Sequence, residues 1–144
     1  MSRIGEVMAR DHKVCDDRFA AAEAAAGEGD LARAAAEFEA FAAALARHIG
    51  VEEERLFPAF EERTGMTDGP PAMMRMEHAE MRELLDGLRA AVGAGDAAEF
   101  LGLADTLNIL IQQHNLKEEQ VLYALLDEAL QGEADGLLAA LDSA

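Results

Sequence analysis

Three pairs of polar residues in this chain repeat at one fixed interval, and that interval restricts the folds open to it. Each pair is separated by 66 positions: His12 and His78, His48 and His114, and Glu52 and Glu118. The sequence of 144 residues contains no further histidine, since its total is 4. Each copy of the pattern is a lone histidine followed, 36 positions later, by a His-x-x-x-Glu motif. The repeat predicts a duplicated helical hairpin that supplies equal sets of ligands to two metal ions.

Helix-forming residues and apolar stripes predict an all-α fold. Ala, Leu and Glu dominate the sequence, and apolar residues recur at spacings of three and four. We expect four long helices at about residues 2–26, 31–63, 70–92 and 97–130, and a short C-terminal helix at 133–142. They would form an antiparallel up-and-down four-helix bundle in one domain, 1–144, with pseudo-repeat halves of about 1–66 and 67–132.

Glycine, aspartate and proline mark the predicted helix ends. The turns Gly27-Glu-Gly29-Asp30 and Gly93-Ala-Gly95-Asp96 are again 66 positions apart, and the aspartate of each can cap the next helix. Ser2 is a candidate N-cap for the first helix. Pro58 falls inside the second helix, where it removes the hydrogen-bond donor to the Glu54 carbonyl and should kink the helix.

The repeated histidines and glutamates fall on the apolar faces of the predicted helices. His12 shares a stripe with Met8 and Cys15, and His48 shares one with Leu45 and Glu52. A buried polar group costs several kcal/mol unless it is bonded, and an ionised carboxylate costs more. A pair of shared cations would satisfy all six groups, so the pattern predicts a dinuclear metal site. The alternative is that ordinary hydrogen-bond partners accompany the histidines in the core.

Helix lengths bring the histidines of each hairpin to similar heights. At ~1.5 Å of rise per residue, His12 lies about 22 Å from the turn that follows Gly27, and His48 lies about 27 Å from it on the returning helix. Each glutamate lies one turn beyond its histidine on the same face. Four imidazoles and two carboxylates are therefore expected around one point. Imidazole suits iron, zinc, copper and nickel, and carboxylate bridging favours iron.

Composition argues against several classes of partner. The net charge of -17 disfavours nucleic acid and anionic membrane surfaces, because both need a basic protein face. No stretch approaches the roughly 18–20 apolar residues of a membrane span, and residues 1–20 contain no apolar signal core. Cys15 is the single cysteine and cannot form an internal disulfide. We expect a cytoplasmic protein, whose protein partner the sequence does not indicate.

The motifs resemble those of the hemerythrin-like (HHE cation-binding) domain family. The matching segments are Arg10-Asp11-His12, His48-Ile-Gly-Val-Glu52, Glu77-His78-Ala-Glu-Met81 and His114-x-x-x-Glu118. The resemblance covers nearly the whole chain and implies a four-helix bundle around a non-haem di-iron centre. By the same resemblance, one iron binds His12 and His48 and the other binds His78 and His114. Glu52 and Glu118 would bridge the two Fe ions together with an oxo or hydroxo group, and zinc is the alternative metal.

Two positions depart from the oxygen-carrying members of that family. Those proteins have a fifth histidine where this chain has Met74, and they place the last carboxylate where this chain has Glu119. Glu118 and Glu119 are therefore both candidates for the last carboxylate. The four-His, two-Glu set is similar to members that bind nitric oxide or supply iron to damaged iron–sulfur clusters.

The resemblance implies a protein that binds or senses a small diatomic ligand, oxygen or nitric oxide. One alternative is enzyme-like and comprises turnover of peroxide or nitric oxide, or iron donation for iron–sulfur repair. Another is a structural or storage bundle that holds zinc or iron without chemistry. No acid–base set beyond the ligands is visible in the sequence, so enzymatic activity is left open.

Several positions beside the expected ligands have more than one interpretation. Asp11 and Glu77 precede the lone histidines. They either are solvated or support a ligand from outside the metal shell, or they gate access to the site or supply protons to it. Tyr123, which matches Phe57 at the 66-residue interval, either packs in the core or brings its hydroxyl to the site. Met8 and Met74 either fill the core or wall the ligand pocket.

Overall fold

Seven α-helices make up most of the computed structural model, which describes residues 3–142. They are α1 (Arg3–Gly27), α2 (Leu31–Val51), α3 (Phe57–Thr64), α4 (Pro70–Gly93), α5 (Ala97–Lys117), α6 (Tyr123–Ala129) and α7 (Ala134–Asp142). Two π-helical segments, Glu52–Leu56 and Glu118–Leu122, connect α2 to α3 and α5 to α6. These residues contain no β-strand, which confirms the all-α prediction.

The long helices pack as a bundle around a shared interior. The helix α1 packs against α2 and α5, and α4 packs against α5 and α2. Together with the extensions through α3 and α6, this gives the four-helix bundle expected from the sequence. The short helix α7 packs against α1, α2 and the first π segment. None of the helices between residues 3 and 142 combines the length and the hydrophobicity of a membrane span.

Equivalent turns join the helices of each hairpin. The Asp30 carboxylate accepts a hydrogen bond of 3.1 Å from the Arg33 N–H, and the Asp96 carboxylate accepts one of 3.0 Å from the Glu99 N–H. Gly29 and Gly95 adopt φ values of 80° and 75°, a backbone conformation that glycine reaches without steric cost. The predicted caps at the second and fourth long helices are thus present. The Ser2 cap lies outside the described residues.

The irregularity expected near Glu54 is present as a π-helical segment, Glu52–Leu56. In a π-helical turn the hydrogen bond spans five residues, and here the Phe57 N–H donates to the Glu52 carbonyl. In the second half, the Tyr123 N–H donates to the Glu118 carbonyl in the same way, although Ala124 stands where the first half has Pro58. Proline is therefore not required for a π segment at this position. Each widened turn begins at a buried glutamate of the repeat, and such turns are frequent at functional sites.

Two apolar clusters fill the interior, with the polar repeat between them along the helices. The first lies toward the Gly-x-Gly-Asp turns and has Phe19, Phe38, Phe41, Phe100 and Leu107 among its members. The second lies beyond the buried glutamates and includes Ile4, Met8, Met74, Phe57, Tyr123 and Leu126. Met8 and Met74 thus fill the second cluster, in agreement with the simpler of their two interpretations.

Because the two π segments have the same backbone structure, we expect the second one to tolerate a proline as the first does. Ala124→Pro should cost well under the ~3 kcal/mol that proline costs inside a regular α-helix, because Pro58 already occupies the equivalent position. Glu83→Pro, at an exposed position within α4, should cost the full amount or more. Urea unfolding of both variants measures the difference. Equal losses in the two variants would contradict the equivalence of the π segments.

Candidate metal centre

The six repeated polar residues meet in the middle of the bundle. Their side chains come from α1, α2, α4, α5 and the first residues of the two π segments: His12, His48, Glu52, His78, His114 and Glu118. The most accessible of them, His12, is 4% exposed, and both glutamates are 0% exposed. Groups of this kind are almost never so completely buried unless they are paired or bind a metal.

Their ligand atoms form two overlapping groups, which we name site A and site B. Site A comprises His12, His48, Glu52 and Glu118, and site B comprises His78, His114 and the same two glutamates. Within each group the potential ligand atoms all lie within 4.8 Å of one another. The structure therefore brings together the histidine pairs that the family resemblance assigned to each ion.

Each shared carboxylate presents one oxygen to each site. Glu52 Oε2 lies 3.6 Å from His48 Nε2 in site A, and its Oε1 lies 3.1 Å from His78 Nε2 in site B. Glu118 Oε1 lies 3.0 Å from His12 Nε2, and its Oε2 lies 3.1 Å from His114 Nε2. A carboxylate in this position can bind two cations at once, one through each oxygen.

Every histidine is held from outside by a second carboxylate. The Nδ1 contacts are His48 with Asp11 at 2.7 Å, His114 with Glu77 at 2.8 Å, His78 with Glu53 at 2.7 Å and His12 with Glu119 at 2.5 Å. An ionised carboxylate can only accept, so Nδ1 carries the hydrogen and donates it. The lone pair of a neutral imidazole is then on Nε2, which faces the centre.

The outer carboxylates show which roles Asp11, Glu77 and Glu119 have, and they include one residue, Glu53, that the sequence did not indicate. Asp11 and Glu77 support histidines and are not merely solvated. Glu119 contacts His12 from outside the centre, whereas Glu118 lies within it. Glu53 was not expected, yet it is the match of Glu119 at the 66-residue interval and follows a buried glutamate. Extending the repeat by one residue would have identified it.

Two of the outer carboxylates also pair with cations at the surface. Arg82 donates to Glu53 at 2.7 Å, and Lys117 donates to Glu77. Burial opposes ionisation of Glu53 and Glu77, but hydrogen bonds from these cations and from the histidines outweigh it and lower the pKa of both carboxyls. Both therefore remain anionic acceptors at neutral pH.

Tyr123 adds a phenol to site A. Its hydroxyl lies 2.7 Å from Glu52 Oε2 and 2.9 Å from Glu118 Oε1, and the side chain is 1% exposed. Burial and the charges of the two glutamates raise the pKa of Tyr123 well above its ordinary value of 10.0. The hydroxyl therefore keeps its proton and donates it to one carboxylate at a time. Both interpretations hold, because the ring packs in the second apolar cluster and the hydroxyl reaches the site.

Three buried atoms at the centre indicate that the residues fit metal ions. Glu52 Oε1, His78 Nε2 and Glu118 Oε2 have no hydrogen-bond partner among the described residues. An unpartnered buried group of this kind is costly. Imidazole nitrogen and carboxylate oxygen are good ligands for iron and zinc, so a divalent or trivalent cation would satisfy all three atoms.

Without metal, the centre balances its charge through protonated histidines. Burial lowers the pKa of His48, but the charge of Glu52 and the hydrogen bond to Asp11 outweigh it and raise the pKa from 6.5 to about 10. Burial also lowers the pKa of His114, but the hydrogen bond and the charge of Glu118 outweigh it, so the pKa of His114 is raised as well. Burial works against the charge of Glu52, yet His48 lowers the pKa of that carboxyl well below 4.5. Protons and metal ions thus compete for the same nitrogens.

A small cavity adjoins the four imidazoles on the side away from Tyr123. Its volume is about 10 Å³, which is close to the space that one water molecule occupies by the same measure. Its wall includes all four histidines, the apolar side chains Cys15, Met81 and Ile111, and the polar Asn108 and Asn115. All four histidines line this cavity, so it lies beside both histidine pairs.

A family of cation-binding domains matches this chain, in agreement with a metal-binding centre. The family model described as the hemerythrin HHE cation binding domain matches residues 3–126. That range includes all six central residues, the four outer carboxylates and Tyr123. Searches of curated proteins and of solved structures found no match.

The raised histidine pKa values predict how the stability of the metal-free protein varies with pH. An imidazole whose pKa is raised by folding stabilises the folded protein. This stabilisation is complete below the pKa of the unfolded chain, 6.5, and is lost as pH rises through the pKa of the folded protein, about 10 for His48. Between pH 6.5 and 8.5, the free energy of unfolding should fall by about 1.4 kcal/mol per pH unit for each imidazole that keeps its proton. Urea unfolding in the presence of a chelator measures it.

The matched control for this prediction is His48→Gln, which should make the decline shallower because one titrating group is gone. The metal-loaded wild-type protein should behave in the opposite way and lose metal on acidification. A metal-free protein whose stability rises between pH 6.5 and 8.5 would contradict the protonated-histidine description.

Proposed function

Because the chain belongs to the hemerythrin HHE cation-binding domain family, we propose that it is a non-haem di-iron protein that binds a small diatomic ligand, oxygen or nitric oxide. The observation that carries the proposal is the juxtaposition of two buried His₂Glu₂ sites with a cavity of about 10 Å³ that contacts all four histidines. Iron is favoured over zinc because two carboxylates are placed to bridge a pair of ions. A reducing cytoplasm suits the free, buried thiol of Cys15.

In this proposal the chain supplies two kinds of support to the ions. The Nε2 atoms of His12 and His48 would hold the ion at site A, and those of His78 and His114 would hold the ion at site B. Glu52 and Glu118 would bridge the two. The outer carboxylates fix the tautomer and the orientation of each imidazole, so that the ligands are positioned before metal arrives.

Bound iron would supply reversible electron transfer to a coordinated diatomic molecule, and the surrounding residues would set which molecules reach it. Two histidines and two shared carboxylates leave each ion with fewer than six protein ligands, so a position remains for an exogenous one. The cavity beside the histidines is small and mostly apolar, which favours small uncharged ligands over anionic metabolites. The Tyr123 hydroxyl, which donates to a carboxylate of site A, does not line this cavity.

Absorption spectroscopy of the iron-loaded protein tests this function. The ferric protein should show charge-transfer bands that shift with azide, and the ferrous protein should form a coloured adduct with nitric oxide or bind oxygen reversibly. The control is the same protein loaded with zinc, which should remain colourless and unresponsive. Iron-loaded protein that is inert to azide, oxygen and nitric oxide would exclude ligand binding and favour a storage or structural role. Sustained consumption of nitric oxide or peroxide would instead identify an enzyme.

A further inference from the structure

Sites A and B offer the same types of ligand but differ in one neighbour. Tyr123 lies beside site A, and Phe57, its match 66 residues earlier, lies beside site B. The Phe57 ring stacks on the His78 imidazole with 6.1 Å between centroids and 7° between planes. The tyrosine ring approaches His12 in the equivalent way, with 5.8 Å between centroids. The pseudo-symmetric halves therefore differ at this position by a single hydroxyl group.

That hydroxyl lies among the ligand atoms of site A. Besides its contacts of 2.7 Å and 2.9 Å with the site A oxygens of Glu52 and Glu118, it lies 3.1 Å from His12 Nε2 and 3.4 Å from His48 Nε2. All four atoms that an ion at site A would use are thus within hydrogen-bonding distance of one phenol oxygen. A cation can take these atoms only if the hydroxyl moves or gives up its present bonds.

Site B contains all three of the unpartnered buried atoms. Glu52 Oε1 and Glu118 Oε2 are the oxygens that face site B, and His78 Nε2 is one of its two nitrogens. The distance from His78 Nε2 to Glu52 Oε1 is 3.1 Å, yet the pair makes no hydrogen bond. A cation at site B would satisfy these atoms and would displace only the contacts of His78 with Glu52 and of His114 with Glu118, both 3.1 Å long.

We propose that Tyr123 makes metal loading sequential, so that the first ion binds at site B and the second, more weakly, at site A. The proposal rests on the metal-binding function proposed above. Tyr123 acts as a residue that determines the selectivity between the two sites, because its hydroxyl competes with metal for the ligand atoms of site A. The single difference between Tyr123 and Phe57 sets the order of binding in a shell that is otherwise repeated.

Two surface cations weaken metal binding at site B, but their effect is smaller than that of the Tyr123 hydroxyl on site A. Arg82 and Lys117 lie behind the histidines of site B and repel a cation there. Among residues 3–142, Asp11 and Glu119 behind site A form no ion pair with lysine or arginine. The side chains of Arg82 and Lys117 are 52% and 46% exposed, so solvent and salt screen them. The contacts of the Tyr123 hydroxyl are fully buried and are not screened in this way.

Titration of the metal-free, full-length protein with Co²⁺ tests the order, because the visible bands of Co²⁺ report each binding step. Wild-type protein should bind two ions in two steps whose dissociation constants differ by about ten- to a hundredfold. Tyr123→Phe should tighten the second step by at least about tenfold and bring the two steps together. The reciprocal variant Phe57→Tyr adds a hydroxyl at site B and should weaken the first step.

Two ligand variants, in which Tyr123 and Phe57 are unchanged, show which site each binding step fills. His48→Gln impairs site A and should retain the tight step, whereas His114→Gln impairs site B and should retain only the weak one. Circular dichroism checks that each variant is folded. If Tyr123→Phe does not fold, the comparison of His48→Gln with His114→Gln still decides the order.

Three results would overturn the inference, and one would overturn its premise instead. Equal steps in the wild-type protein, or a tight step lost in His48→Gln and kept in His114→Gln, would exclude site B as the first to fill. A second step that weakens in Tyr123→Phe would show that the phenol oxygen is a metal ligand and not a competitor. Failure of the wild-type protein to bind any Co²⁺ would count against the metal-binding function itself.

Discussion

The structure depends on how two carboxylates are accommodated in the centre of a helical bundle. Glu52 and Glu118 are completely buried, and each extends one oxygen toward each of two histidine pairs. An isolated buried carboxylate would be neutralised or would unfold the protein. Here protonated imidazoles balance the charge when metal is absent, and cations would replace those protons when it binds. The apolar clusters on either side exclude water and so strengthen both interactions.

Duplication explains most of this arrangement. A few residues without a counterpart in the other half make the two metal sites different. The capped turns, the π segments and the outer carboxylates all recur at the 66-residue interval. Each π segment begins at a central glutamate, so the widened turn is a feature of the site and does not require a proline. Tyr123, Arg82 and Lys117 have no chemical equivalent in the other half, which carries Phe57, Asp16 and Val51 at those positions. The two sites are consequently alike in ligands and different in surroundings.

The sequence was sufficient to predict the helices and the residues that meet at the centre, because both follow from helical periodicity and from the repeat. It was not sufficient for the π segments, since a widened turn has no signature in periodicity. Pro58 indicated an irregularity in the first half, but no proline marks the second. The role of Glu53 was missed because a residue beside a ligand points away from the ligand face, and only packing shows which neighbouring helix it contacts. The position of the Tyr123 hydroxyl likewise depends on how far the π segment rotates the following helix.

We propose that Glu52 and Glu118 hold two metal ions together, and the metal content of two matched double variants tests this role. Iron per chain should be two in the wild-type protein. In Glu52→Gln/Glu118→Gln it should fall to one or none, because both shared ligands are lost. In Glu53→Gln/Glu119→Gln, which changes the adjacent residues that only support His78 and His12, two ions should still bind with an affinity reduced by about 10–100-fold. Two irons retained by Glu52→Gln/Glu118→Gln would exclude these glutamates as the shared ligands.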